Sequence, residues 1–445
     1  MSTNDAAGAP GPRAAHAFAD LLGPEAVQAL PDRAGERVVV RPGSAEEVAG
    51  ALRLAGELGL PVYPVGGPPG RRQIHGVALD LSRLNAIVEL NVEDMLVVAQ
   101  AGVPLRALAA SAEAAGLSYP PAFLACRQVT VGGSLSRGGG PRGPRYGPGR
   151  DYALGLKAAL AGGDLVSAGS RAIKNATGYN LTQLLVGARG ALGVIVEATL
   201  RLVPMLASRR TFVVSFADAP AAAASALALA RDRLPPAEAE LLDRRALEVG
   251  CPAVASLLPE RAGAALLVLL EGTGEPDLEW QASRLSEKLR ADLGAQLRAL
   301  DAAEAEAAWD ARRELPTALG AARAEPAVVG LGLPISAAPA FVGEARRLAG
   351  RLGADVALFG SVGAGALEMA VLDAEGGSAA VAGFCRELLT AASAVGGRLA
   401  GASGAGLTYA DWLDLALPAP TAATLGQIKA TLDPNGILRP ADVDF

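Results

Sequence analysis

Five glycines, Gly132, Gly133, Gly138, Gly139 and Gly140, fall within one short stretch, VTVGGSLSRGGG at 129–140. Backbone without Cβ atoms can present consecutive N–H groups to a bulky anion such as a pyrophosphate. The spacing is neither GxGxxG opening a helix nor GxxxxGK followed by Ser or Thr, so the common dinucleotide and P-loop signatures are absent. The same composition also suits a plain surface loop. What favours a ligand is the sequence downstream. Strand-like apolar runs at 153–160 and 191–202 flank a polar connector, Lys174-Asn175-Ala176-Thr177-Gly178-Tyr179-Asn180, whose amides and hydroxyls suit hydrogen bonding to a ring system.

Other reactive side chains are sparse. The 445-residue chain has two histidines, His16 and His75, and three cysteines, Cys126, Cys251 and Cys385. An odd number of widely separated cysteines fits a reducing compartment better than a disulfide framework, and the spacing is not that of an iron–sulphur site. The densest basic group, Arg142, Arg145 and Arg150 in GPRGPRYGPGR, reads as a phosphate-facing or solvated loop. With 40 basic against 46 acidic residues and a net charge of −6, no face for nucleic acid is expected. The first 18 residues lack the apolar core of a signal peptide. No uncharged apolar run of about 18 residues occurs, so no membrane span is expected.

The length favours two domains. Residues 1–35 read as a flexible leader with a short helix at 17–22. A strand at 37–40, a helix capped by Ser44, a strand at 62–65, a Gly-Pro loop from Gly66 and a strand at 77–81 make a β-α-β unit with a loop at a strand end, where ligand phosphates often sit. Strands at 86–90 and 95–100 and a helix at 104–115 follow. After residue 209 strands and helices alternate around a charged helical segment at 301–321, which predicts an antiparallel sheet with helices on one face. A last helix at 422–432 runs into the turn Asp433-Pro434-Asn435-Gly436.

The runs VTVGGSLSRGGGPRGPRYGPGRDYALGL and AIKNATGYNLTQLLVGARGALGVIVEATLRLVP resemble the FAD-binding domain of the vanillyl-alcohol oxidase (PCMH) type, in its glycolate oxidase and D-2-hydroxyacid (D-lactate) dehydrogenase branch. VRPGSAEEVAGALRLAGELGLPVYPVGG, VALDLSRLNAIVELNVEDMLVVAQAGV and the terminal IKATLDPNGILRP agree with it. The resemblance implies an α+β chain: a two-lobed PCMH-type FAD-binding domain at 36–205, a ferredoxin-like α+β C-terminal domain at 206–415, and a tail at 416–445 that returns to the FAD domain. It implies non-covalent FAD. One pyrophosphate loop starts at Gly66 and Gly67; the other holds Thr130, Gly132, Gly133 and Ser134, whose amides approach the phosphates. Gly190, Gly193, Val194 and Ile195 fall on the adenosine side, and Pro121 and Ala122 where the family's chain passes the flavin.

The chain departs from that pattern in places that bear on function. Pro68-Pro69 interrupt and shorten the first loop and remove two N–H donors. Arg439-Pro440 replaces the usual Asn-Pro. The family's metal site, HAGDGNLH, reads Ser361-Val362-Gly363-Ala364-Gly365-Ala366-Leu367-Glu368 here, and its later EHG reads Ala402-Ser403-Gly404, so no metal site is expected. Trp309-x-x-Arg312 resembles the segment that brings an arginine to the substrate carboxylate; the bland alternative is an arginine paired with an acid on a solvated face. His75 and Cys126 read as structural rather than catalytic. The implied protein is an FAD-binding, cytoplasmic oxidoreductase subunit of a glycolate oxidase-like 2-hydroxyacid dehydrogenase complex. Its substrate site is degenerate, and it would relay electrons or support assembly beside a larger flavoprotein subunit and an iron–sulphur subunit. The alternative is an FAD-free structural subunit of such a complex.

Overall fold

The computed structural model describes residues 12–438 except 33–34, 67–75, 141–142, 234, 290–294, 323–326, 375–376, 404–411, 413–414 and 416. The expectations for Gly67, Pro68-Pro69, His75, Arg142, Gly404, Arg439-Pro440 and the first eleven residues therefore lie outside the described residues. Two compact units result, one of Met1–Gly140, Pro148–Met205 and Ala419–Phe445, the other of Pro141–Gly147 and Leu206–Pro418.

In the first unit, helix α1 (Pro12–Leu22) leads into strands β1 (Val27–Asp32) and β2 (Gly35–Val40). These two strands are antiparallel, with Val27 opposite Val40. Helix α2 (Ala45–Glu57) follows; Ser44 accepts from the Glu47 N–H and Glu47 accepts from the Gly43 N–H, which fixes its start. Strands β3 (Val62–Val65) and β4 (Val77–Asp80) complete a sheet of order β1-β2-β4-β3, in which β4 runs parallel to both neighbours. Phe18, Val38, Leu52, Val62 and Leu79 share its core. The expected leader at 1–35 is thus corrected beyond residue 26. VQALPD has weak strand propensity by itself, but pairing along β2 and burial of Phe18 beneath it order the segment.

The second lobe of this unit contains β5 (Ile87–Asn91), β6 (Leu96–Gln100), α3 (Leu105–Ala114), β7 (Leu117–Ser118), α4 (Val131–Ser136), β8 (Ala153–Ala159), β9 (Leu165–Gly169), α5 (Leu181–Leu185), β10 (Val194–Arg201) and β11 (Val203–Pro204). Its sheet has the order β5-β6-β10-β8-β9, antiparallel throughout. Alternate residues of β10, among them Val194, Val196, Ala198 and Leu200, are buried.

The second unit is built from β12 (Ser208–Phe216), α6 (Ala219–Ala230), β13 (Glu238–Asp243), α7 (Arg244–Gly250), α8 (Pro252–Ala255), β14 (Ala264–Gly272), α9 (Glu275–Leu289) and β15 (Gln296–Ala299). Then come α10 (Ala302–Ala322), β16 (Ala327–Gly332), α11 (Ala338–Arg351), β17 (Ala354–Gly360), β18 (Ala366–Ala374), α12 (Gly377–Ala394) and β19 (Arg398–Ser403). The order β15-β12-β14-β13-β17-β18-β16-β19 is that of two β-α-β-β-α-β halves joined edge to edge. The join is the antiparallel pair β13–β17, with Leu241 opposite Gly360 and Leu242 opposite Phe359.

Phe212, Val214, Leu241, Leu266 and Leu358 point to one face, into a core shared with Ala222 of α6, Leu285 of α9, Phe341 of α11 and Phe384 of α12. The expectation of helices on that face alone is corrected, because α10 packs on the other face. Trp309 Nε1 donates to Thr211 Oγ1 at 3.0 Å and Arg312 Nε donates to Glu240 Oε2 at 2.7 Å. Thr211 and Glu240 are the sequence neighbours of core-facing Phe212 and Leu241, so strand alternation turns them to that second face.

Residues 143–147 belong to the second unit. Arg145 donates to the carbonyls of Pro235 and Glu271 and to Gln281, and Tyr146 donates to the Glu271 carboxylate. The reading of Arg145 as phosphate-facing or solvated is therefore corrected: its fork fixes this loop to β14, to α9 and to the segment before β13. Helix α13 (Ala419–Leu432) returns to the first unit. There Asp433 accepts from the Ile437 and Leu438 N–H groups, and Lys429 donates to Asp433 and to the carbonyls of Ala191 and Leu438. The terminal motif is a clamp beside Gly190 and Gly193.

Candidate functional site

A cleft of about 390 Å³ opens in the first unit where β3 and β4 end, between α4 and the start of β10. Strand ends place Pro64, Val65 and Leu81 on it; α4 and the residue before it contribute Thr130, Gly132, Gly133 and Ser136; the loop before β10 contributes Arg189, Gly190 and Gly193, followed by Val194 and Ile195. Of the residues expected to hold cofactor, Gly66, Thr130, Gly132, Gly133, Gly190, Gly193, Val194 and Ile195 meet here. They come from three stretches of sequence. Pro121, Ala122 and Ser134 are buried and are not among the lining residues.

Close approach is what the glycines provide. A Cβ at Gly66 would stand 2.5 Å from Thr130 Oγ1, and one at Gly132 would stand 2.7 Å from the Ala101 Cβ. The expected role of the second loop's amides differs from what is found. Gly132 N–H donates to the Ala101 carbonyl at 2.8 Å, Gly133 N–H to Thr130 Oγ1 at 3.2 Å, and Ser134 N–H to the Thr130 carbonyl at 2.8 Å. These donors close the first turn of α4 and tie it to Ala101, the residue after β6. The wall is smooth because it lacks Cβ atoms, and its N–H groups are spent on holding it.

Sequence reasoning missed Ser136, Ala101 and above all Arg189, the one charged side chain among the described lining residues. The signal available was a lone arginine in the glycine-rich run GARGALG. The connector 174–180 is exposed throughout, with Tyr179 at 96%.

In the second unit Arg312 is buried. Its guanidinium bonds Glu240, itself fully buried, through Nε at 2.7 Å and Nη2 at 2.6 Å, and lies 5.1 Å from the centre of the Phe359 ring. Burial works against the Arg312 charge, but Glu240 and Glu368 outweigh it and hold the group firmly protonated. The solvated-face alternative is corrected too: the pairing is real and the setting is interior. Burial pushes the Cys251 thiol up to about 11 against the pull of Arg312, and Cys385 up to about 12, which makes both inert.

Glu368 pairs across β17–β18 with Phe359. Burial raises its carboxyl above the usual range, Arg312 opposes this, and Glu240 adds to it. A raised carboxyl favours the protonated folded state, so its contribution is complete below the unfolded value of about 4.3 and is lost as pH rises through the raised folded value. Glu368→Gln is expected to remove that decline. Urea midpoints of the wild type should fall across this window while those of the variant stay level, and parallel curves would disprove the assignment.

A family model described as FAD linked oxidases, C-terminal domain, matches residues 205–443, and one described as FAD binding domain matches 37–169. The chain is 30% identical over 423 residues to a D-lactate dehydrogenase of Archaeoglobus fulgidus, covering 92% of each protein. The chain belongs to the FAD-linked oxidase family. Within it, the glycolate oxidase subunit GlcD of Bacillus subtilis is 28% identical, with 93% of this chain and 89% of that one covered. The fold of this FAD-linked oxidase is that of 4-ethylphenol oxidase from Gulosibacter chungangensis (TM-score 0.74, 18% identity, 97% and 96% covered) and of p-cresol methylhydroxylase (TM-score 0.75, 17%, 97% and 98%). FAD is its cofactor. The cleft fits such a group: its glycine walls leave room that a Cβ would fill, its described lining carries an arginine and no carboxylate, and Leu81, Val194 and Ile195 add apolar surface.

No helix among the described residues is long and apolar enough to cross a membrane.

Proposed function

We propose that this FAD-linked oxidase is a subunit of a complex that oxidises 2-hydroxyacids, and that it relays electrons or supports assembly rather than oxidising the substrate itself. The relatives' names, D-lactate dehydrogenase and glycolate oxidase subunit, supply the substrate class. One observation carries the division of labour. The arginine suited to a substrate carboxylate, Arg312, has two guanidinium nitrogens on Glu240, while Ser361 and Glu368 stand where the family pattern places histidines. An arginine so engaged is a poor anion receptor, because releasing it would strand a buried carboxylate.

The redox chemistry of the subunit is that of bound FAD, two-electron transfer at the isoalloxazine ring. The chain's own residues seat the cofactor and exclude water from the glycine-walled cleft. The partners that would complete the activity are a larger flavoprotein subunit bearing the missing histidines and an iron–sulphur subunit, with cytoplasmic assembly.

The test is the purified chain alone. Its visible spectrum should show flavin in stoichiometric amount, and it should not turn over glycolate or D-lactate with an artificial electron acceptor. Turnover by the isolated chain would refute the lost substrate site. Absence of flavin, even after refolding with FAD, would favour a purely structural subunit.

A further inference from the structure

The tail that returns to the first unit reaches both walls of the cleft. On one wall, Pro64, Val65 and Gly66 follow Val62, whose N–H donates to the Ile437 carbonyl at 2.7 Å and which forms a parallel bridge with Leu438. On the other, Gly190 and Gly193 bracket Ala191, whose carbonyl accepts from Lys429 Nζ at 2.8 Å. The same ammonium donates to the Leu438 carbonyl at 2.8 Å and to Asp433, so all three of its donors are used. Asp433 is buried and accepts from the Ile437 N–H at 3.0 Å and the Leu438 N–H at 2.8 Å, which fixes the segment that Val62 pairs with. Apolar contacts follow the same division. Ile437 and Leu438 enter the core around Val62 and Leu79, while Ile428 and Leu432 of α13 pack on the core around Leu185 and Leu192. The walls leave little slack where they meet, since a Cβ at Gly190 would stand 3.2 Å from Pro64 Cγ.

We propose that Lys429 and Asp433 are positioning residues for FAD, which hold β3 and the loop before β10 at the separation the cofactor needs without touching it. The assignment rests on the cleft being the FAD seat. Neither residue is among the lining residues, and both bind the backbone behind the walls. β3 and β10 belong to different sheets, so strand pairing does not set the distance between them. The clamp does, because one ammonium holds the loop by Ala191 and the partner of β3 by Leu438. A ligand that needs both walls in place binds with an affinity reduced by the fraction of molecules in which they are. A clamp whose loss leaves the walls correctly spaced about a tenth of the time therefore costs about tenfold in affinity.

Lys429→Met removes the tie, keeps an unbranched side chain and leaves Asp433 its two backbone donors. FAD affinity of the full chain, measured by flavin fluorescence well below the melting temperature of each apoprotein, should fall about tenfold. Asp433→Asn should weaken binding by a similar factor, and the double variant no further than either alone, because the two residues act as one device. Lys429→Arg, which keeps charge and donors, should recover part of the loss. The salt dependence of FAD binding should stay that of the wild type in Lys429→Met; a flattened slope would make Lys429 a direct phosphate ligand and overturn the positioning role. Phe18→Leu opens a cavity in the core of the same unit, outside the cleft lining, and should lower the melting temperature without changing FAD affinity. Wild-type affinity in Lys429→Met, additive losses in the double variant, or an equal loss in Phe18→Leu would overturn the proposal while leaving the FAD seat intact. A wild-type chain that binds no FAD would overturn both.

Discussion

Replacing Arg312 by methionine is expected to destabilise the second unit by about 3–5 kcal/mol, because the change leaves the Glu240 carboxylate buried without its countercharge. Glu240 is wholly inaccessible, receives Arg312 at 2.7 Å and 2.6 Å on Oε2, and has no hydrogen bond to Oε1 among the described residues. Methionine keeps much of the volume against Phe359, so the loss is electrostatic rather than a cavity. For a unit of about 200 residues, each kcal/mol moves the melting temperature by roughly 2–4 °C, which gives a fall of about 6–20 °C. Adding Glu240→Leu should recover most of it, since apolar replacement of a buried pair is often neutral or better. Calorimetry on the three variants tests this. A single-variant loss below about 1 kcal/mol would mean that the pair is loosely coupled and that Arg312 is available for a substrate carboxylate after all.

The second large effect is expected at the cleft wall. Gly66→Ala places a methyl where Thr130 Oγ1 now stands, 2.5 Å from the new atom. Thr130 must rotate, which breaks the cap it makes to Gly133 N–H, and the methyl intrudes on the cleft. Gly132→Val presses on the Ala101 Cβ at 2.7 Å and its carbonyl at 3.2 Å, neither of which can swing aside. Each variant should lose FAD affinity by at least about tenfold, equivalent to about 1.4 kcal/mol. Thr130→Ala should partly rescue Gly66→Ala by removing the obstructing oxygen, although losing the cap costs about 1 kcal/mol. It should not rescue Gly132→Val, whose collision lies with Ala101. Equal rescue of both, or none, would show that the glycines act through something other than wall shape.

The sequence by itself determined the glycines of the cleft wall and most of the elements. A residue without a Cβ is visible in the chain, and so are the β-branched run of β2, the apolar run of β4 and the helix cap Ser44, because their effects are local. β13 was not legible: three of its six residues are acidic, EAELLD, and an acid in a strand reads as exposed until its partner is known. Its partners come from far along the chain, Arg312 being 72 residues from Glu240 and Arg346, which pairs with Asp243, 103 residues on. β1 was concealed by its weak propensity rather than by distance, since its order depends on its near neighbours β2 and Phe18. Arg189 stood in plain view as a residue type, yet its place on the cleft arises only when α4 and the loop before β10 meet. Tertiary structure therefore decided which charges are buried and which amides are spent, because both depend on the partner that folding brings to each group.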